Sequence, residues 1–194
     1  PLEVVRIGVR DPRKERGVDS ALITTDLDSI IEDPSIDVVI EVMGGLDPAH
    51  RLLKHALVNG KSVVTANKEL MAKSGSELLT LAAERNLDLE MEAAVGGGIP
   101  LIQPLKHQLS GNDMLRMVGI LNGTTNFILS KMEEGGEAEA VLAEAQALGY
   151  AEADPSSDID GFDTAYKIAI LASLAWGQQI LPEQVAREGM RHLA

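Results

Sequence analysis

Short runs of β-branched residues, separated by helix-like stretches, constrain this chain more than any other feature. Residues 37–42 read DVVIEV and residues 62–66 read SVVTA. Between them Leu52, Leu53, Ala56 and Leu57 recur at the spacing of one helix face. Two strands too apolar to be half exposed, joined by a helix, require a parallel sheet. Residues 2–9 (LEVVRIGV) read as an earlier strand and residues 87–93 (LDLEMEA) as a later one. Helices are expected at 26–32, capped by Asp26, and at 49–58, with Asp47 as N-cap and Pro48 at the first helical position. Asn59-Gly60 stops that second helix, and a third is expected at 76–85. The fold class is α/β: a partial Rossmann-like parallel-sheet nucleotide domain at 1–93, then an α+β substrate domain at 94–194.

Such sheets bind ligands at the carboxyl ends of their strands. Two ends qualify: Met43-Gly44-Gly45, where small residues admit a flat or charged ligand, and Thr65-Ala66-Asn67-Lys68. The plain alternative for Gly44-Gly45 is a turn. A dinucleotide fold opens with strand, G-x-G-x-x-G, helix, and this sequence has no such motif. Residues 2–9 suit the second strand of that fold. Arg10 at its end suits a 2′-phosphate and Asp11 a ribose hydroxyl, so NADP and NAD both remain open. The chain begins at Pro1 inside a strand-like segment, and a fragment is expected, with the glycine turn upstream.

The rhythm changes near Ala94. Gly96-Gly97-Gly98 frees the backbone to turn its carbonyls or amides towards a ligand, or serves as an interdomain hinge. Residues 114–121 read as a strand. Thr124 or Thr125 is expected to cap a helix that begins near Asn126 and ends by Gly135-Gly136. A helix at 137–148 closes at Gly149, and Pro182 opens a last short one.

The densest chemistry lies at 149–167, GYAEADPSSDIDGFDTAYK, with carboxylates at Glu152, Asp154, Asp158, Asp160 and Asp163. Asp163 and Lys167 stand one helical turn apart, ahead of the nearly unbroken apolar run IAILASLAWG, so their helix is expected to be buried. An unpaired buried lysine is costly, and desolvation lowers its pKa. Lys167 is therefore either ion-paired or held ready to exchange protons. A structural i,i+4 salt bridge is the plain alternative. A calcium loop fails, because its twelfth position, counted from Ser156, must be Glu and is Lys167. The chain carries 17 basic and 30 acidic residues, net −13, which argues against nucleic-acid and anionic-membrane surfaces. It has no cysteine, hence no disulfide or thiolate metal site. No apolar run approaches the ~20 residues that span a bilayer.

Four segments together resemble homoserine dehydrogenase: VTANKELMA (64–72), EAAVGGGIPLI (92–102), GILNGTTNFIL (119–129) and AQALGYAEADPSSDIDGFDTAYKIAILA (145–172). The resemblance implies NAD(P)-dependent interconversion of L-homoserine and L-aspartate 4-semialdehyde. Lys167 falls on the catalytic lysine and Lys68 on the other active-site lysine. Glu152 and Asp163 fall on the acids that hold the substrate's amino and hydroxyl groups, Asp158 is a supporting acid, and Tyr150, Gly123 and Thr124 line that site. Gly149 falls on a cofactor contact, beside Gly44, Gly45, Asn67, Lys68 and Arg10. Backbone carbonyls of Glu92, Val95, Gly97 and Ile99 fall on a monovalent-cation site, usually sodium. The family also implies a cytoplasmic homodimer joined through the substrate domain, which continues with further strands. The rival expectation is a non-catalytic remnant that binds an amino acid or partner in the same pocket.

Overall fold

The computed structural model describes residues 2–193. The chain forms two compact units, the first of residues up to 70 with 74–91, the second of 71–73 with 92 onward.

In the first unit, strands β1 (Ile7–Gly8) and β2 (Ile23–Thr24) pair in parallel. Helix α1 (Leu27–Glu32) follows, with the Asp26 carboxylate accepting the Ser29 N–H at 3.2 Å. Then come β3 (Val38–Glu41), α2 (Ala49–Val58), β4 (Ser62–Thr65), α3 (Lys68–Glu84) and β5 (Leu89–Glu90). The last three strands form one parallel sheet in the order β3-β4-β5, with Glu41 opposite Thr65. The register therefore delivers the ends of β3 and β4 to the same edge. The stripe Ala49, Leu52, Leu53, Ala56 and Leu57 of α2 is buried, and Val63, Leu70 and Leu78 are fully enclosed. Each of these leucines and Val63 contributes about 1.5–3 kcal/mol by leaving water.

Several expectations need correction here. Only Ile7–Gly8 of residues 2–9 is a strand; Leu2 is 95% exposed, and an extended segment without a paired ladder is not a strand. Asp47 does not cap α2: the N-cap is Pro48, without a side-chain bond, and the Leu46 carbonyl takes the His50 N–H at 2.8 Å. A backbone acceptor has met the donor a capping carboxylate serves. Helix α3 starts at Lys68, well before residue 76, because Asn67 is an N-cap whose Oδ1 accepts the Leu70 N–H at 3.1 Å. The strand expected at 87–93 is reduced to Leu89–Glu90, and the chain then tightens into a 3₁₀ turn, Glu92–Ala94.

The second unit has helices α4 (Gly123–Glu133), α5 (Ala138–Ala147), α6 (Ser156–Ile159) and α7 (Phe162–Trp176), with a π-turn of helix at Pro104–Gln108 and a 3₁₀ turn at Pro182–Gln184. Its core joins Ile128 to Val141, Ala145 and Ala151, with Phe127, Leu142 and Met190 packed around them. Helix α7 buries one face, Ala165, Ala169, Ile170 and Leu171, while Trp176 stays 46% exposed. It is thus less enclosed than its composition suggests. The strand expected at 114–121 does not form: among the described residues no ladder runs along it, and Leu115 is 90% exposed. Its ends are nonetheless anchored. The Trp176 indole N–H donates to the Met114 carbonyl at 2.9 Å, and the Lys167 ammonium donates to the Leu121 carbonyl at 2.8 Å. Neither Thr124 nor Thr125 caps α4; Asn122 does, its Oδ1 accepting the Thr125 N–H at 2.7 Å.

Candidate active site

The first unit gathers its candidates where β3 and β4 end. Gly44 and Gly45 have φ of 75° and 72°, the left-handed region that disfavours side chains, and space lies open where a Cβ would stand. The Gly45 carbonyl accepts Asn67 Nδ2 at 2.6 Å. Asn67 thus caps α3 with its oxygen and holds the glycine turn with its nitrogen. Lys68 occupies the first turn of α3. Arg10 is exposed just beyond β1. Beside it the Asp11 carboxylate binds Arg13 Nε at 3.0 Å, and the hydrogen bond from Arg13 lowers its pKa.

In the second unit α7 brings Lys167 over Asp163 one turn earlier, with Nζ 2.6 Å from Oδ2 and the two side chains 15% and 3% exposed. Asn122 completes the cluster. Its two Nδ2 protons go to Asp158 Oδ1 at 2.7 Å and Asp163 Oδ2 at 2.8 Å. Its Oδ1 accepts the Thr125 N–H and, at 2.8 Å, the Thr125 hydroxyl. All the donor and acceptor capacity of this buried amide is in use. The structure therefore brings Asp158, Asp163 and Lys167 into one network.

The remaining candidates lie around it. The Thr124 hydroxyl donates to the Tyr150 carbonyl at 2.6 Å, and the exposed Tyr150 ring tilts against Phe127 at 5.1 Å between centroids. Gly123 is the first residue of α4, and Gly149, with φ of 77°, ends α5. Glu152 is exposed; its backbone carbonyl accepts Gln146 Nε2 at 3.1 Å, and among the described residues its carboxylate makes no bond to the Asp163 network. Glu92 carries its carboxylate into the turn ahead of Pro104–Gln108, where it accepts the N–H groups of Leu101, Ile102 and Gln103 at 2.6, 2.9 and 2.8 Å. Burial works to raise its pKa, but those three donors and the Lys106 charge overcome it and the net shift is downward. Val95 is buried, Gly97 is left-handed with φ of 59°, and Ile99 returns its N–H to the Gly96 carbonyl at 3.0 Å. Among the described residues no group of three His, Cys, Asp or Glu side chains is arranged for a metal ion, so a cation there would rest on carbonyls.

Two residues escape the sequence reading: Asn122 and Glu41. Asn122 stands directly before Gly-Thr-Thr, the pattern of an Asx N-cap. Glu41 is a lone charge in an otherwise apolar strand, and such a residue needs polar partners.

Comparison with known proteins agrees across the whole chain. A model of the homoserine dehydrogenase NAD-binding domain matches residues 1–92, and one of homoserine dehydrogenase matches residues 100–194. A curated homoserine dehydrogenase from Synechocystis sp. is 51% identical over 196 aligned residues, covering 100% of this chain and 45% of the relative. The crystal structure of a homoserine dehydrogenase from Thiobacillus denitrificans matches with a TM-score of 0.92 at 45% identity, covering 98% of this chain and 44% of that one. A hyperthermophilic archaeal homoserine dehydrogenase in complex with NADPH matches with a TM-score of 0.80 at 37% identity, covering 87% of this chain and 52% of that one. A parallel-sheet unit of Rossmann type, followed along the chain by a helical unit with a lysine–carboxylate network, places the fold in the dinucleotide-binding α/β class. Within that class the chain belongs to the homoserine dehydrogenase family. It spans about 45% of the length of the Synechocystis relative.

Proposed function

We propose that this protein interconverts L-homoserine and L-aspartate 4-semialdehyde with NADP or NAD, a step towards threonine, methionine and isoleucine. The observation that carries this reading is the Lys167 ammonium, sunk to 15% exposure between the Asp163 carboxylate and the Leu121 carbonyl. An ammonium has three N–H donors. Among the described residues these two acceptors take two, and the third is left for a substrate oxygen.

The nicotinamide group supplies hydride exchange when it is bound. Reduction of the aldehyde places negative charge on its oxygen, which Lys167 stabilises and protonates; oxidation of homoserine runs the same proton back. Asp163 holds that ammonium in place and aimed. Glu152 and Asp163 take the substrate's ammonium and hydroxyl donors, Asp158 supports Asp163 through Asn122, and Gly123, Thr124 and Tyr150 line the pocket. Lys68 is the second active-site lysine. Gly44, Gly45, Asn67, Lys68, Arg10 and Gly149 take the dinucleotide, and the NADPH complex of the archaeal relative supports the phosphorylated cofactor. The domains divide at 93/94.

The carbonyls of Glu92, Val95, Gly97 and Ile99 hold a sodium ion. A hard cation takes oxygen ligands, and the left-handed Gly97 beside the bend at Ile99 suits such a turn. Residues 114–121, which pair with no strand among the described residues, support a homodimer through the second domain, since unpaired backbone invites a partner strand. Among the described residues no helix is long and apolar enough to cross a membrane, and the cytoplasm is the proposed location. The test is an assay of the full-length protein for homoserine-dependent reduction of NADP or NAD. Absence of turnover with either, in folded protein, would sink this function.

A further inference from the structure

The strand ends of the first unit enclose a carboxylate that the proposed chemistry does not use. Glu41 is 3% exposed. Its Oε1 accepts the N–H groups of Met43 at 2.6 Å and Gly44 at 3.1 Å, and its Oε2 accepts the Thr65 hydroxyl at 2.6 Å. Thr65 Oγ1 accepts the Asn67 N–H at 3.0 Å, and Asn67 Nδ2 donates to the Gly45 carbonyl at 2.6 Å. The bonds run from the glycine turn into β3, across to β4 and back to the same turn. Every partner that the described residues supply to this carboxylate is neutral.

We infer that Glu41 is a positioning residue for the dinucleotide, acting through the Gly44-Gly45 turn; this rests on the function proposed above. A Gly-Gly turn left to itself samples both signs of φ, and freedom lost on binding weakens association. Here the N–H that enters the turn is held by Glu41, and the carbonyl that leaves it is held by Asn67. Between those two clamps the backbone faces open space with a fixed direction. The task calls for a carboxylate because three donors converge on it and it has acceptors only. An amide in its place presents one oxygen and one NH₂. Set with its oxygen to the turn, it leaves the Thr65 hydroxyl proton without an acceptor. Set the other way, it drives its NH₂ against two backbone N–H groups.

The experiment compares Glu41→Gln, Thr65→Val and the double variant in the full-length protein, with KM for NADP and for homoserine and the Kd for NADPH measured separately. Glu41→Gln is expected to raise the dinucleotide KM and Kd about tenfold, the factor carried by one net hydrogen bond, while the homoserine KM stays within about twofold. The double variant is expected to be no worse than the more affected single one, because both break the same chain of bonds. Thr65→Ser, which keeps the hydroxyl, is expected to bind like wild type, and its contrast with a weakened Thr65→Val decides the matter if Glu41→Gln does not fold. Unchanged dinucleotide affinity in folded Glu41→Gln or Thr65→Val overturns the inference, as does an equal rise in both KM values. If wild type binds no nicotinamide dinucleotide, the function proposed above falls and this inference falls with it.

Discussion

The two units use the same device and end it differently. In each, an asparagine at the start of a helix accepts a backbone N–H with its oxygen and points its amide nitrogen into the candidate site. Asn67 caps α3 and donates to the neutral Gly45 carbonyl. Asn122 caps α4 and donates to the carboxylates of Asp158 and Asp163. The first arrangement fixes bare backbone and carries no net charge at its tip. The second holds two acids and a lysine together. Backbone with a set direction suits the recognition of a large cofactor, whereas protons are moved by groups that can change charge. The pair of asparagines therefore separates a binding function from a proton-handling one, and that separation can be broken.

The largest effect is expected at Lys167. Lys167→Ala removes the proposed proton donor and acceptor and leaves the Asn67–Gly45 clamp of the first unit unaltered in sequence. In the full-length protein kcat should fall by roughly 10²–10⁴, the usual scale of general acid–base catalysis, with NADPH affinity retained. Steady-state kinetics beside fluorescence titration of NADPH reads both. Wild-type turnover in that variant would remove Lys167 from the chemistry.

Replacing each asparagine by aspartate compares the devices directly. Aspartate keeps the capping oxygen and loses the donor. At residue 122 it sets a third carboxylate against Asp158 and Asp163, and an uncompensated buried charge costs about 3 kcal/mol or more. At residue 67 it faces a carbonyl dipole, and the lost hydrogen bond costs about 1–2 kcal/mol. Denaturant unfolding of the two variants should rank Asn122→Asp below Asn67→Asp. Acid should narrow the gap, because a protonated carboxyl recovers a donor. Equal losses would mean that the charged tip of the second device is not buried in effect.

How much of this is legible in the sequence follows from the range of the forces involved. Local patterns mark α2, since the stripe from Leu52 to Leu57 is periodic within one helix, and the Asp163–Lys167 contact, since four residues bring the pair together. The fate of residues 114–121 is not local. Their apolar composition allows a strand, but a strand exists only where another segment offers its backbone, and no described residue does. Caps fall between. Asn67 and Asn122 both carry the signature of an N-cap, yet Thr124 and Thr125 lie beside the second and have the same chemistry. Only geometry shows that the amide, which has donors to spare, is the residue reaching back to Asp158 and Asp163. Glu41 is legible as an oddity in an apolar strand, but its partners Thr65 and Gly44 are fixed by the β3–β4 register.

Gly44→Ala probes the backbone side of the comparison more gently. At φ of 75° the added Cβ meets no neighbour, so the cost is conformational alone, about 1 kcal/mol. Thermal unfolding should register that loss. The dinucleotide KM should rise while kcat stays near wild type, the reverse of Lys167→Ala. A fall in kcat without a change in KM would show that the turn serves the reaction rather than the cofactor.

The smallest effect separates Glu92 from both devices. Its pKa is lowered in the folded state, since the donors of Leu101, Gln103 and Ile102 outweigh burial. A depressed carboxylate contributes stability that is fully present above its unfolded value, about 4.3 for glutamate, and that fades as pH falls through the lower folded value. Glu92→Gln keeps an oxygen for the same N–H groups but has no such titration. The stability difference between wild type and Glu92→Gln should thus be constant at neutral pH and shrink only in the acid range below the ordinary glutamate value. Denaturation midpoints measured across that range read it. A difference that instead grows on acidification would mean that the folded protein holds Glu92 protonated, and the three converging amides would then not be acting on a charge.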